Sequence, residues 1–145
     1  MTTQILIAGF GGQGILFAGK FLTYAGLLAG KEVSWMPSYG PETRGGFSNC
    51  SVVISDDPVG SPIVLNPDLL MVMNLPSLDR FEETVVKGGH LFIDSTLAAR
   101  APKRDDVNNH LVPATKLADE LGLNGLANII LIGKLVKETE IMTQE

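Results

Sequence analysis

Cysteine is nearly absent from this 145-residue chain, which has only Cys50. One thiol cannot build a disulfide framework, a structural zinc site or an iron–sulfur cluster within a single chain. Histidine is almost as scarce. His90 and His110 are the only two, and neither has a serine, cysteine or carboxylate at a telling spacing, so no intrinsic transition-metal centre is expected. Basic residues are outnumbered: 11 Lys and Arg against 16 Asp and Glu leave a net charge of −5, with a pI near 5.0. Nucleic-acid phosphates demand a basic face, so that class of partner is excluded. Long apolar runs are missing as well. Lys20 and Lys31 interrupt or end the longest one, short of the ~20 residues of a membrane span. The N-terminal MTTQILIAGFGGQG lacks a basic region and a cleavage site, so no signal peptide is expected, and a cytoplasmic protein follows by default.

What the chain does have is apolar residues (45%) and 16 glycines, which fit a loop-rich α/β protein. Its length suits a single domain with a buried core. Gln4 to Ala8 is a short apolar run bounded by glycine, the mark of a buried strand. ILFAGKFLTYAGLLAG follows, apolar on nearly every face, which predicts a helix buried on more than one side and ending near Gly30. Lys31 to Met36 reads as a second strand stopped by Pro37. Together these predict a βαβ unit with a right-handed crossover and a parallel pair. Further strands are expected at Cys50 to Ser55, at LLMVMN after Asp68, and at His90 to Asp94. Helices are expected from Pro76 to Val86 with Asn74 as cap, from Thr115 to Leu121 before Gly122, and from Leu126 to Glu138. Residues 95–110 are polar and proline-bearing and read as irregular. Strands alternating with helices predict a doubly wound α/β sheet.

The strand–turn–helix context gives GFGGQG a physical meaning. Gly9 would permit a sharp turn, Gly11 a close backbone approach to a ligand, and Gly14 close packing of the helix. The helix start then offers free N–H groups to an anion. Gln13 adds an amide there that suits a neighbouring loop as well as a ligand. An NAD site also asks for a carboxylate at the tip of the second strand. Here that tip reads Trp35-Met36-Pro37-Ser38, with Glu42 and Arg44 set back in the loop. A glycine turn used only for packing, and a stand-alone domain binding NAD(P) or another phosphate ligand, are the alternatives.

The loop PSYGPETRGG after the second strand is expected at the same carboxyl edge of the sheet as GFGGQG, where open α/β folds build their sites. The paired motifs, with SVVISDDPVGSPIV, PDLLMVMNLPSLDRF, KGGHLFIDST and NGLANIILIGKL downstream, resemble the gamma subunit, or gamma domain, of 2-oxoacid:ferredoxin oxidoreductases. The likeness spans essentially the whole chain. It implies a three-layer α/β/α fold with a Rossmann-like, mostly parallel sheet. Phe10 in the glycine turn and Ser-Tyr-Gly-Pro-Glu at 38–42 look most like the 2-oxoglutarate branch, with pyruvate and branched-chain 2-oxoacids as alternatives. Members continue into a C-terminal segment, so the resemblance implies that 1–145 is a single gamma domain lacking it.

The family's enzymes decarboxylate a 2-oxoacid on thiamine diphosphate with magnesium and pass electrons through iron–sulfur clusters to ferredoxin. The product is an acyl-CoA. This chain has no thiamine-diphosphate signature of the GDG…N type and no cluster-ligand cysteines. The resemblance therefore implies a subunit that binds none of these groups alone and is inactive in isolation. It would complete a complex with alpha and beta subunits, and with delta where one occurs, and help shape access of coenzyme A or substrate. No catalytic or metal-binding residue is assigned. The expected edge site comprises Gly9, Gly11, Gly12, Gln13, Gly14, Ser38, Tyr39, Glu42, Arg44 and Gly45.

Within that site Arg44 suits a bidentate pair with a carboxylate or phosphate, or a salt bridge to Glu42 or a partner subunit. Tyr39 suits stacking on a ligand or closing the loop. Ser38 and Thr43 have hydroxyls for phosphate, although such groups commonly satisfy nearby backbone. Cys50 is expected as a buried, inert thiol. Asp94 and Ser95 are expected to cap the next segment. Ile129, Ile130, Ile132 and Leu135 are expected in the core or at a subunit interface.

Overall fold

A computed structural model of the chain describes residues 2–10, 14–38, 47–98, 100–123 and 125–139. The first strand, β1 (Thr2–Phe10), leads into α1 (Ile15–Leu28), and β2 (Glu32–Ser38) follows. Helix α1 ends as its sequence predicts. Gly30 adopts φ +82°, and the Lys31 and Gly30 N–H groups donate back to the Gly26 and Leu27 carbonyls, each at 3.0 Å. These are the paired bonds of a Schellman stop.

The expected parallel pair between β1 and β2 does not form. The third strand, β3 (Phe47–Ser55), lies between them and is antiparallel to both. Side-chain burial explains the order. Cys50, Val52, Val53 and Ile54 are all buried on β3, on both faces of the sheet, so this strand belongs in the interior. Strand β2 is half-exposed and carries Pro37, which cannot donate to a ladder and belongs on an edge. The strand therefore continues through Pro37, opposite Cys50, to Ser38.

Strands β4 (Leu69–Val72), β5 (His90–Asp94) and β6 (Asn108–Val112) extend the other side of β1 in parallel. The sheet order is β2-β3-β1-β4-β5-β6. Strand β6 falls in the stretch expected to be irregular. Its sequence NNHLV has no apolar run, and its place is set by backbone pairing with β5. Helix α2 (Leu75–Phe81) is shorter than its pattern suggested and passes into a 3-10 turn at Glu82–Thr84. Its cap is the expected one: Asn74 Oδ1 accepts from Ser77 N at 2.9 Å. Helices α3 (Ala114–Glu120) and α4 (Ala127–Thr139) fall within a residue of expectation.

Two cores result, one on each face of the sheet, giving the three layers. On one face α1, α3 and α4 pack over Ile5, Ile7, Val52, Met71 and Phe92. Ile132 and Leu135 are buried in this cluster, with Ile129 and Ile130 packed against it. On the other face Leu78 of α2, Val64 and Val85 cover Leu6, Leu70, Leu91 and Ile93. Glycines allow α1 to approach the sheet closely. A Cβ on Gly19 would lie 2.4 Å from Cys50 Sγ and 2.7 Å from Trp35 Nε1. Helix α1 is buried on this side alone: Ile15, Ala18, Gly19, Leu22 and Gly26 face inward, whereas Phe17, Phe21 and Tyr24 are exposed. The expected second buried side is not filled by the described residues.

Candidate functional site

The carboxyl ends of β1 and β2 meet the start of β3 at one edge of the sheet. Phe10 pairs with Phe47, and Ser38 with Asn49. The stems of both loops therefore leave the sheet side by side. Of the expected site residues, Gly11, Gly12, Gln13, Tyr39, Glu42, Arg44 and Gly45 lie outside the described residues. Gly9, Gly14 and the backbone of Ser38 lie within them. Gly9 remains inside β1, opposite Ser48. It does not make the turn, because the antiparallel ladder to β3 runs through Phe10. The left-handed residue is Gly14, with φ +74°, at the start of α1.

A second contact holds this turn, and it involves a residue that the sequence did not single out. Asn128, in the first turn of α4, is 3% exposed and donates from Nδ2 to the Gly14 carbonyl at 3.1 Å. A Cβ on Gly14 would fall 2.5 Å from that same nitrogen. Gly14 is thus required both by backbone conformation and by the space Asn128 occupies. The polar Asn128 among the apolar residues of NIILIGKL was the available signal, but its partner lies 114 residues away.

The neighbouring strand ends add fixed polar groups. Asp94 is fully buried and accepts from Thr96 N at 3.1 Å, Thr115 N at 3.3 Å and Thr115 Oγ1 at 2.5 Å. Its bond to Thr96 N caps the turn that follows β5, and its bonds to Thr115 tie the end of β5 to the first turn of α3. Beside β4, Asn74 Nδ2 and Ser77 Oγ are buried without hydrogen-bond partners among the described residues. Below the edge, a cleft of about 530 Å³ opens between Met36 and Pro37 of β2, Asn49 and Ser51 of β3, and Arg80 and Phe81 of α2.

Two groups that sequence reasoning set aside are placed more fully. Cys50 is buried, and its thiol pKa is pushed up to about 12 by burial, with the neighbouring Trp35 indole and Gly19 backbone offsetting part of the rise. It stays a neutral thiol at physiological pH. His90 and His110 are brought together by the β5–β6 register, with Nδ1 of one 3.1 Å from Nε2 of the other. Their rings stack with Phe92. Burial, and then the nearby His90, lower the His110 pKa below its ordinary value. This pair was not legible because β6 itself was not.

Among the described residues, no group of three or more His, Cys, Asp or Glu is placed to hold a metal ion. An iron–sulfur cluster takes up to four thiolates, and the one cysteine is buried and protonated, so this chain's donors do not fit such a group. No helix among the described residues is long and apolar enough to cross a membrane.

This architecture is shared with known proteins. A gamma subunit of a keto/oxoacid ferredoxin oxidoreductase from Geobacter sulfurreducens superposes with a TM-score of 0.84 at 28% identity, covering 98% of this chain and 80% of that one. The 2-oxoglutarate synthase subunit KorC of Methanocaldococcus jannaschii is 38% identical over 148 aligned residues, spanning 100% of this chain and 79% of the relative. The ketoisovalerate oxidoreductase subunit VorA of Methanothermobacter thermautotrophicus is 44% identical over 133 residues, or 92% of this chain. The chain spans only 28% of that relative's length. A family model described as pyruvate ferredoxin/flavodoxin oxidoreductase matches residues 4–145. A three-layer domain with β3 inserted beside β1, matched from one end to the other, thus belongs to the pyruvate ferredoxin/flavodoxin oxidoreductase family, among its gamma-subunit domains.

Proposed function

We propose that this chain serves as the gamma subunit of a cytoplasmic 2-oxoacid:ferredoxin oxidoreductase complex. That complex oxidatively decarboxylates a 2-oxoacid to an acyl-CoA and passes the electrons to ferredoxin. The observation that carries this reading is the family match over residues 4–145. The chain's own chemistry agrees with an accessory role, because its single cysteine is a neutral, buried thiol. Thiamine diphosphate, magnesium and iron–sulfur clusters then belong to the alpha and beta subunits, and to delta where one is present.

The carboxyl edge, with Gly9, Gly11, Gly12, Gln13, Gly14, Ser38, Tyr39, Glu42, Arg44 and Gly45, is assigned to the coenzyme A and substrate side of the complex. Support comes from the loop stems leaving the sheet together, from the turn locked by Asn128 and from the adjacent cleft. The favoured substrate is 2-oxoglutarate, in keeping with KorC relatives that match over most of their length. The VorA likeness makes a branched-chain 2-oxoacid the runner-up, and pyruvate follows. A stand-alone NAD(P) site is disfavoured. On the β2 side of β1 the neighbouring strand is the antiparallel β3, and β2 ends in Ser38 where a ribose-binding carboxylate is needed.

Omission and add-back of the chain to its partner subunits tests the reading. Reduction of ferredoxin should require the chain, coenzyme A and a 2-oxoacid, with 2-oxoglutarate turned over faster than ketoisovalerate or pyruvate. Full activity without the chain, or tight NAD(P) binding by the chain in calorimetry, would contradict it.

A further inference from the structure

The outward face of α1 carries an apolar stripe that no described residue covers. Phe17, Phe21, Tyr24 and Leu28 follow one another at helical spacing and are 56%, 45%, 63% and 68% exposed, with Leu27 beside them at 57%. Phe17 and Phe21 touch, their ring centroids 6.3 Å apart. The opposite face of the same helix is already filled by the sheet, and the stripe belongs to neither core formed by the described residues. Aromatic and leucine side chains of this size leave on the order of 500–600 Å² of apolar surface open. That is at or beyond the largest patch of a typical monomer and close to the ~800 Å² that one partner contributes to a stable interface.

We infer that this stripe is the docking surface for a different subunit of the same complex, an inference that rests on the oxidoreductase reading above. Two observations select that occupant. First, this domain makes up 28% of the VorA relative. There it shares a polypeptide with a much longer remainder and so has permanent neighbours. Permanent interfaces are the apolar kind, like a core cut in half. Second, Lys20 borders the stripe beside Leu27, exposed, with its ammonium 5.4 Å from the ring centre of Trp35 on β2. A twofold pairing of α1 about the middle of the stripe would set two like-charged Lys20 residues about 8 Å apart along the helix, within about a Debye length. A different chain can set a carboxylate against the lysine instead. The occupant is therefore an apolar surface bearing an acidic residue, on a non-identical subunit.

The test measures binding of the full chain to its assembled partner subunits, with light scattering and thermal melting of the isolated chain alongside. The double variant Phe21→Gln/Tyr24→Gln should weaken binding at least 100-fold while the isolated chain melts as the wild type does. Lys20→Glu should weaken it roughly tenfold. Leu121→Ser, an exposed leucine at the end of α3, should change nothing. If the double variant fails to fold, Lys20→Glu decides. Wild-type affinity in the folded double variant, or in Lys20→Glu, overturns the inference. So does an isolated chain that is dimeric and becomes monomeric in the same variants. A wild-type chain that does not bind the partner subunits at all instead overturns the oxidoreductase reading, and this inference with it.

Discussion

Gly14 tolerates no side chain on two separate counts, and these can be pulled apart. Its φ of +74° is a left-handed conformation that costs an L-residue about 1–2 kcal/mol. The Cβ would also press on Asn128 Nδ2. Gly14→Ala should therefore lower unfolding stability by about 2–4 kcal/mol in denaturant titration. Adding Asn128→Ala should recover the steric part and leave the conformational part. If Gly14→Ala is as stable as the wild type, this description of the turn is wrong. At the other end of the sheet, His110 gives a pH signature. Its native pKa is depressed by burial and by His90, while Glu138 opposes and Lys134 adds to the shift. As pH falls, the unfolded chain takes up the proton first, near the ordinary imidazole value of 6.5. The stabilising contribution is thus complete above that value and is lost as pH drops through it towards the native pKa. Melting temperature should fall by a few degrees between about pH 7.5 and about pH 5.5. His110→Gln should flatten that slope, and an unchanged slope would exclude the histidine pair as its source.

At the scale of elements, the polar stretch between β5 and β6 is held by a buried carboxylate. Glu82, 2% exposed, accepts from Arg100 Nη2 at 2.8 Å and from the Lys103 backbone N–H at 2.6 Å. Arg104 donates to the Glu82 and Val85 carbonyls, both at 3.1 Å, and pairs with Asp106. Glu82→Ala leaves the Lys103 N–H without its acceptor and Arg100 with Asp79 as its remaining carboxylate, and about 2 kcal/mol of stability should go with it. Hydrogen exchange should then rise first in residues 100–107. Nothing in the sequence of 95–110 announced this order, because its partner is a glutamate in the turn after α2. Strand β6 escaped for the same reason: NNHLV has no period of its own, and its neighbour β5 defines it. In contrast β1, β4, β5, α1 and α4 were legible because each carries its own apolar run, a signal held within the segment. The insertion of β3 between β1 and β2 was not legible as adjacency. Its trace was the two-sided apolar run CSVVIS against the half-polar EVSWMPS. Of the expected edge site, Gly9, Gly14 and the backbone of Ser38 lie among the described residues, and Gly9 sits inside β1 and not in the turn. Asn128, which locks Gly14, was not legible, since contacts across the fold leave no local pattern.

For the whole molecule, the described residues form two packed cores and leave one helix face exposed. A helix apolar all round is normally buried all round. The inner side of α1 meets the sheet, and the outer side is exposed, the surface inferred above to dock another subunit. This is also why the sequence suggested burial on more than one side when the isolated domain provides only one. The central claim is that this chain, without redox groups of its own, works as part of a larger oxidoreductase. Affinity purification of the tagged full chain at native levels from its own cells, followed by iron and thiamine diphosphate analysis of the recovered assembly, tests it most directly. The expected result is a stoichiometric complex that contains both cofactors and reduces ferredoxin with a 2-oxoacid and coenzyme A, while the isolated chain contains neither cofactor and has no activity. Recovery of the chain alone, or of an assembly without thiamine diphosphate and iron, would contradict the claim.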